Sequence, residues 1–264
     1  MQHTQSDTEV KGLVESMGFR DVGKDLLSQR ALLKRVDTKF ILRKEQLEKV
    51  LALTKPHFGL LRAGTQAVAQ YRTLYFDSDD YLCLREHHRG RRPRHKIRIR
   101  HYLDRKLSFL EVKRKTSADQ TVKVRQPLSF MAEQLGAEEK AFVDLHNPIS
   151  ASRLQPSLRT DFDRITLVGV DTVERATFDV HLNVKGEDGQ AELPQLVIAE
   201  IKQERFMPRS PLMMAFRHAG LRPTSLSKYC AAGLLLLESV PMPRYRRLLR
   251  SIRKQSEIRM HVND

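Results

Sequence analysis

Only two cysteines, Cys83 and Cys230, occur in the 264 residues. That is too few for a disulfide framework or a cysteine zinc site. Cys83 has a strand-like setting and Cys230 a helical one, so both are expected as buried, reduced thiols. Long apolar runs are also missing. The longest, residues 231–237, is broken by Gly233 and falls far short of a bilayer span. The N-terminal MQHTQSDTEV has no apolar h-region, so no signal peptide is visible. A soluble, cytoplasmic protein without a transmembrane segment is the expectation. An aromatic-interleaved RNA-binding motif is absent as well, which disfavours nucleic acid as the partner.

Acidic residues are the next shortage. Lys and Arg total 47 against 32 Asp and Glu, a net charge of +15. A polyanionic partner follows from that balance. The charge is also local. Residues 85–115 carry 13 Lys and Arg against Glu86, Asp104 and Glu111. Residues 240–254 carry Arg244, Arg246, Arg247, Arg250, Arg253 and Lys254 with no acid. The remainder is close to neutral, so the basicity is not a general solubility trait. At 40% apolar content the chain can bury one large core.

What is abundant is alternation. In RHKIRIRHY, Arg94, Lys96, Arg98 and Arg100 fall on one face of a strand, with Ile97 and Ile99 on the other. After a turn at 103–106, Glu111, Lys113 and Lys115 share a face opposite Leu110 and Val112. A face so dense in cations repels itself unless water or a polyanion lies in front of it. The same pattern recurs elsewhere. Arg35, Asp37 and Lys39 alternate, as do Lys123 and Arg125, Phe162 and Arg164, and Glu200 and Lys202; Arg175 opens another strand.

Strands are expected at 34–42, 66–77, 94–103, 107–115, 121–126, 157–168, 172–182 and 196–203. Helices are expected at 22–33, 44–53, 127–145, 211–219 and 227–237, with a basic loop at 87–93. Residues 1–20 read as a polar tail, 21–240 as one domain, and 241–264 as a basic tail or helix. Strands grouped without intervening helices point to an α+β fold with antiparallel pairing. Charged faces on nearly every strand predict a closed or nearly closed antiparallel β-barrel tunnel with a charged lumen, its apolar outside covered by helices.

The segments YRTLYFDSDDY (71–81), KIRIRHY (96–102), FLEVKRK (109–115), TVKVRQ (121–126), ERATFDVHL (174–182), VIAEIK (197–202) and SLSKY (225–229) occur in an order that resembles VTC domains. These are the polyphosphate polymerase domains of the triphosphate tunnel metalloenzyme superfamily, also called CYTH-like. The resemblance implies a tunnel that binds a triphosphate and moves the γ-phosphoryl group of ATP onto a growing polyphosphate chain. A divalent metal, Mn²⁺ or Mg²⁺, is implied as cofactor. By the same likeness Arg98, Arg100, Lys113, Arg164 and Arg175 are the catalytic phosphate clamps. Arg35, Lys39, Lys115, Lys123, Lys202, Ser227 and Lys228 are further phosphate-binding residues, and Glu200 is the metal ligand. Four places depart from the family pattern. Phe162 stands where a tyrosine is common, Lys115 where the yeast-type domain has a histidine, and Ser225 where a lysine can occur. Several arginines of 85–92 compete for one loop position.

Each residue has a plainer reading. Any one cation can be half of a surface ion pair, worth about 0–1 kcal/mol. Glu200, between Ile198, Ala199 and Ile201, needs a partner on a buried strand; a salt bridge to Lys202 or a facing arginine would serve as well as a metal. Glu111 either joins the metal or orients a neighbouring cation, and Asp37 is a third acidic candidate. His87, His88, His95 and His101 fit no standard zinc spacing and read as solvated loop histidines. Tyr71, Tyr75 and Phe76 read as core. Residues 244–254 form an amphipathic basic stretch suited to a polyanion, an anionic membrane surface or solvent. Two other functions share the composition. One is a tunnel-type inorganic or nucleoside triphosphatase, and the other a non-catalytic polyanion- or RNA-binding protein with salt-dependent affinity.

Overall fold

A computed structural model describes residues 2–23, 25–26, 36–118, 120–237, 240 and 242–262. Arg35 and most of the helix expected at 22–33 lie outside the described residues. The strands are β1 (Val36–Arg43), β2 (Phe58–Leu60), β3 (Ala69–Asp77), β4 (Arg94–Tyr102), β5 (Leu107–Lys115), β6 (Thr121–Leu128), β7 (Gln155–Gly169), β8 (Glu174–Lys185), β9 (Gly189–Leu193), β10 (Leu196–Gln203) and β11 (Arg259–Val262). The helices are α1 (Gln2–Ser16), α2 (Lys44–Thr54), α3 (Leu82–Arg89), α4 (Ala137–His146), α5 (Pro211–His218), α6 (Lys228–Leu236) and α7 (Arg246–Gln255).

The main sheet runs β1-β10-β8-β7-β3-β4-β5-β6, every pair antiparallel. Burial follows the alternation of the sequence. Along β4 each odd-numbered residue, His95 to His101, is buried and each even-numbered one half-buried. Two apolar clusters take the buried positions. One joins Phe40, Leu42, Phe178 and Ile201 of the sheet to Leu47 and Leu51 of α2 and Leu212 and Phe216 of α5. The other joins Ile97, Ile99, Leu110 and Val112 to Val143 of α4, and Leu158, Leu182 and Val184 to Tyr229 and Ala232 of α6. The architecture is therefore an α+β antiparallel sheet with flanking helices.

The sheet does not close into the expected barrel. Among the described residues β1 and β6, its two ends, are not paired with each other. The free edge of β1 is instead met by residue 224, whose amide donates to the Lys39 carbonyl at 2.8 Å. The outer edge of β6 stays in solvent, with Val122 42% exposed. The two ends nevertheless approach, because Lys113 of β5 lies within electrostatic reach of Glu200, Lys39 and Asp37 on β10 and β1. The result is a curled trough.

Several local expectations change. The stretch read as a polar tail forms α1, which buries Val10 and Val14. The residues read as a basic loop continue α3 to Arg89, where Gly90 in the left-handed region ends the helix. Cys83 is thus helical, and both thiols are buried and free. Strand β6 runs through Pro127 to Leu128, and only 137–146 of the expected long helix is helical. Pro127 is tolerated because β6 is an edge strand. The histidines are not solvated: His88, His95 and His101 are buried, and His101 Nδ1 lies 2.7 Å from Ser108 Oγ.

Candidate functional site

The concave face of the trough collects the alternating charged positions of seven strands. Cross-strand register places Lys96, Lys113 and Lys123 in one row and Tyr75, Arg98, Glu111 and Arg125 in the next. On the other side Lys39, Glu200 and Thr177 share a row, as do Asp37, Lys202 and Arg175. Opposed residues in such rows have Cβ atoms about 4.5–5.5 Å apart, so each row is one contact surface.

Three carboxylates organise this face, each between two cations. Glu111, 1% exposed, receives Arg98 Nη2 at 2.6 Å and Lys123 Nζ at 2.5 Å. Asp179 is buried and accepts from Arg164 Nε at 2.6 Å and Nη2 at 2.9 Å, a bidentate contact, while Lys228 Nζ pairs with its second oxygen. Glu200 takes Lys39 at 3.1 Å and Lys202 at 2.5 Å. Burial alone would push all three carboxyls up, but the neighbouring cations win. Arg98, Arg100 and Lys123 hold Glu111 far below the usual carboxylate range. Arg164 and Lys228 hold Asp179 at about 2, and Lys202 and Lys39 hold Glu200 well below its usual value.

Other cations make no direct ion pair among the described residues. No ion pair of the described residues includes Lys96, Arg100 or Lys113. Burial, reinforced by cations including Lys113, Arg98 and Lys39, lowers the Lys96 ammonium to about 7. Burial and the Arg98 and Lys39 charges bring Lys113 to about 8. Burial and Arg98 also push Arg100 down. A buried ammonium near neutrality stores repulsion that a bound anion would relieve.

The segment 224–229 ties the trough together. Ser227 Oγ accepts from Lys96 Nζ at 2.9 Å, linking it to β4. Lys228 reaches Asp179 on β8 and lies 4.4 Å from the centre of the Phe162 ring. Tyr229 donates to Asp77 Oδ2 at 2.5 Å and stacks on Tyr75 with centroids 4.5 Å apart. Asp77 also accepts the amides of Ser78, Cys83 and Leu84, which anchors the start of α3. Burial nevertheless leaves its carboxyl raised.

Of the residues picked out in the sequence, Arg98, Lys113, Lys123, Arg164, Lys39, Lys202, Glu200, Ser227 and Lys228 meet on this face, with Arg100 and Arg175 in its rows. Lys115 sits at the rim, opposite Arg94 and Thr121. Arg35 is outside the described residues. Glu111 orients Arg98 and Lys123, as the plainer reading of it anticipated. Tyr71 is buried but also meets the site, lying 5.0 Å from Arg164 Cζ and stacked on Phe162 at 5.3 Å. Asp179 escaped notice and could have been found from its alternation with Arg175. Lys96 was placed on the charged face of its strand but given no site role.

Among the described residues no group of three His, Cys, Asp or Glu stands ready to hold a metal. Glu200 fits a narrower role. Mg²⁺ and Mn²⁺ are commonly held by one or two carboxylates, with phosphate oxygens and waters completing the shell. Both Glu200 oxygens are on cationic side chains that could turn to phosphate instead.

A family model described as VTC domain matches residues 34–237. No curated protein matches. Among solved structures, a candidate adenylate cyclase from Bacillus halodurans is 14% identical with a TM-score of 0.47, over 74% of this chain and 94% of that one. A candidate adenylyl cyclase from Hippeastrum, described as having a dominant triphosphatase activity, is 14% identical with a TM-score of 0.47, over 79% of this chain and 99% of that one.

Proposed function

The chain belongs to the VTC domain family, and on that premise we propose that it is an ATP-dependent polyphosphate polymerase. It takes the γ-phosphoryl group of ATP and joins it to the end of a linear polyphosphate held in the trough. The observation that carries this reading is the trio of carboxylate-centred clusters, Glu111, Asp179 and Glu200, beside Lys96, Arg100 and Lys113, which make no direct ion pair among the described residues. Phosphoryl transfer asks little covalent chemistry of a protein; it asks for charge neutralisation and in-line placement.

The residues divide that work. Arg98 and Arg164 are pre-oriented by Glu111 and Asp179, so their guanidinium planes need little reorganisation when phosphate binds. Arg175 supplies a further guanidinium. Lys39, Lys123, Lys202 and Lys228 exchange part of their carboxylate pairing for phosphate oxygens. Arg100, Lys96 and Lys113, which make no direct ion pair among the described residues, gain one with phosphate. Lys115, at the rim, and Ser227 hold outlying phosphates, and the family resemblance implies the same role for Arg35. Glu200 would hold Mn²⁺ or Mg²⁺, which would supply Lewis-acid polarisation of phosphate oxygens. ATP and polyphosphate are the partners this scheme requires.

A triphosphatase is the second reading, and the open edge of β6 favours it, because Lys123 is 38% exposed and water reaches that side. The test is to incubate the purified protein with ATP and Mn²⁺, with Mg²⁺, and with no metal, and to separate products on a gel. Long polyphosphate is the expected result. ADP and orthophosphate alone would replace the polymerase with a hydrolase. Salt-dependent binding with no turnover under any metal would leave a polyanion-binding protein.

A further inference from the structure

Helix α7 reads RRLLRSIRKQ, with no acidic residue. At 3.6 residues per turn its cations, Arg246, Arg247, Arg250, Arg253 and Lys254, fall within about 120° of the circumference, in a stripe about 12 Å long. All five are exposed. None of them makes an ion pair among the described residues. The next acid along the chain, Glu257, lies 3.7 Å from Arg259 instead. Like charges at i and i+4, as in Arg246 and Arg250 or Arg250 and Lys254, destabilise a free-standing helix.

The opposite side of α7 is already occupied. Leu248 and Ile252, 6% and 0% exposed, belong to one of the two apolar cores. Tyr245, just before the helix, packs on His88 of α3 with ring centroids 5.3 Å apart. At the other end Arg43 of β1 donates to the Lys254 carbonyl at 2.8 Å, and the Ser256 hydroxyl accepts the Gln195 amide at 3.3 Å. The apolar side therefore belongs to the domain and is not free to enter a bilayer. What α7 presents outward is charge, on a helix fixed at both ends.

The stripe is separate from the cationic rows of the trough. On β1, Ile41 stands between Lys39 and Arg43 and opposes Ile198 of β10. Both isoleucines are buried. No aromatic lies among the five cations, so a single-stranded nucleic acid would find no ring there to stack on.

We propose that α7 docks the protein on an anionic lipid surface, with the cationic stripe lying on the headgroups and the helix staying out of the bilayer. An anionic bilayer spreads negative charge over a plane, and five cations on one side of a fixed helix complement it. Each Lys or Arg beside such a surface is worth about a fivefold gain in affinity, and basic clusters of roughly this size bind it. The attraction reaches about one Debye length, so salt weakens it.

The test is co-sedimentation of the full chain with phosphatidylcholine vesicles, with and without phosphatidylserine. The wild type should bind the phosphatidylserine vesicles, release them as salt is raised, and ignore phosphatidylcholine alone. The triple variant Arg247→Gln, Arg250→Gln, Lys254→Gln should bind about a hundredfold more weakly, and the double variant Arg246→Gln, Arg253→Gln about thirtyfold. Arg247→Lys with Arg250→Lys should bind nearly as the wild type, because a surface potential reads charge and not shape. A wild type that treats both vesicles alike would overturn the proposal, as would glutamine variants that bind phosphatidylserine vesicles as tightly as the wild type. Glutamine variants that lose affinity for long polyphosphate or RNA and keep it for vesicles would give the stripe to a soluble polyanion and overturn the lipid assignment.

Discussion

The two walls of the trough solve the same electrostatic problem differently. On the β7-β8-β10-β1 wall, Asp179 and Glu200 together hold Arg164, Lys228, Lys39 and Lys202. On the β4-β5-β6 wall, Glu111 alone pairs with Arg98 and Lys123, and Lys96, Arg100 and Lys113 make no direct ion pair among the described residues. The first wall is compensated, the second is charged in excess. Excess charge on a partly desolvated face costs stability in the free protein and is relieved by an anion. Under the proposed function, the second wall would grip phosphate, and the first would serve rigid placement and, through Glu200, the metal.

The largest expected effect comes from removing the sole acid of the uncompensated wall. Glu111→Gln leaves Arg98 and Lys123 facing each other with no counter-ion. Breaking a buried pair costs about 3–5 kcal/mol, and about 3 is expected here because Lys123 reaches solvent. Thermal melting measures it, and tripolyphosphate should restore much of the loss. A variant that melts as the wild type would show that Glu111 does not compensate its wall.

Glu200→Gln tests the opposite wall. If Glu200 holds the metal, turnover should fall roughly a hundredfold, in the range found for groups that stabilise transition-state charge, and added Mn²⁺ should rescue it poorly. Triphosphate affinity should persist or rise, since one negative charge has left. A destabilised variant with an unaltered Mn²⁺ activation curve would make Glu200 a salt-bridge partner only.

Smaller effects should distinguish the two arginine clamps. Arg98→Ala and Arg164→Ala should each lower turnover by roughly tenfold or more. Both should cost stability, to different extents. Losing Arg98 leaves buried Glu111 with Lys123 as its ion-pair partner, whereas losing Arg164 strips the bidentate partner from buried Asp179. Equal turnover in the wild type and both variants would mean that the concave face is not the working face.

Much of this was legible before any coordinates, and the reason is period two. A strict alternation of Arg and Lys with Ile, Leu and Val marks both the strand and its charged face, so the rows on β4, β5 and β10 could be read directly. Closure could not. Whether β1 pairs with β6 depends on a loop 185 residues away in sequence, where residue 224 caps the Lys39 carbonyl. Helix α3 was hidden because HHRG next to four arginines resembles a basic loop, while its start is fixed by distant Asp77. Asp179 was hidden in a strand chosen for its arginine.

The central claim, that the uncompensated wall grips phosphate, has a direct readout in protons. Lys96 at about 7 and Lys113 at about 8 are partly neutral in the free protein at pH 8 and should be charged when phosphate binds. Both ammonium groups are lowered from their usual 10.5, so between pH 7 and 9 the unfolded chain binds more protons than the folded one. On their account the free protein gains stability as pH rises through that window. Phosphate affinity should move the other way, being strongest where the lysines already carry their protons. The measurement is calorimetric titration of tripolyphosphate at pH 8 in two buffers of different ionisation enthalpy. The predicted result is net proton uptake that disappears in the double variant Lys96→Met, Lys113→Met, together with weakened binding. Tight binding with no proton uptake, unchanged in that double variant, would contradict the account.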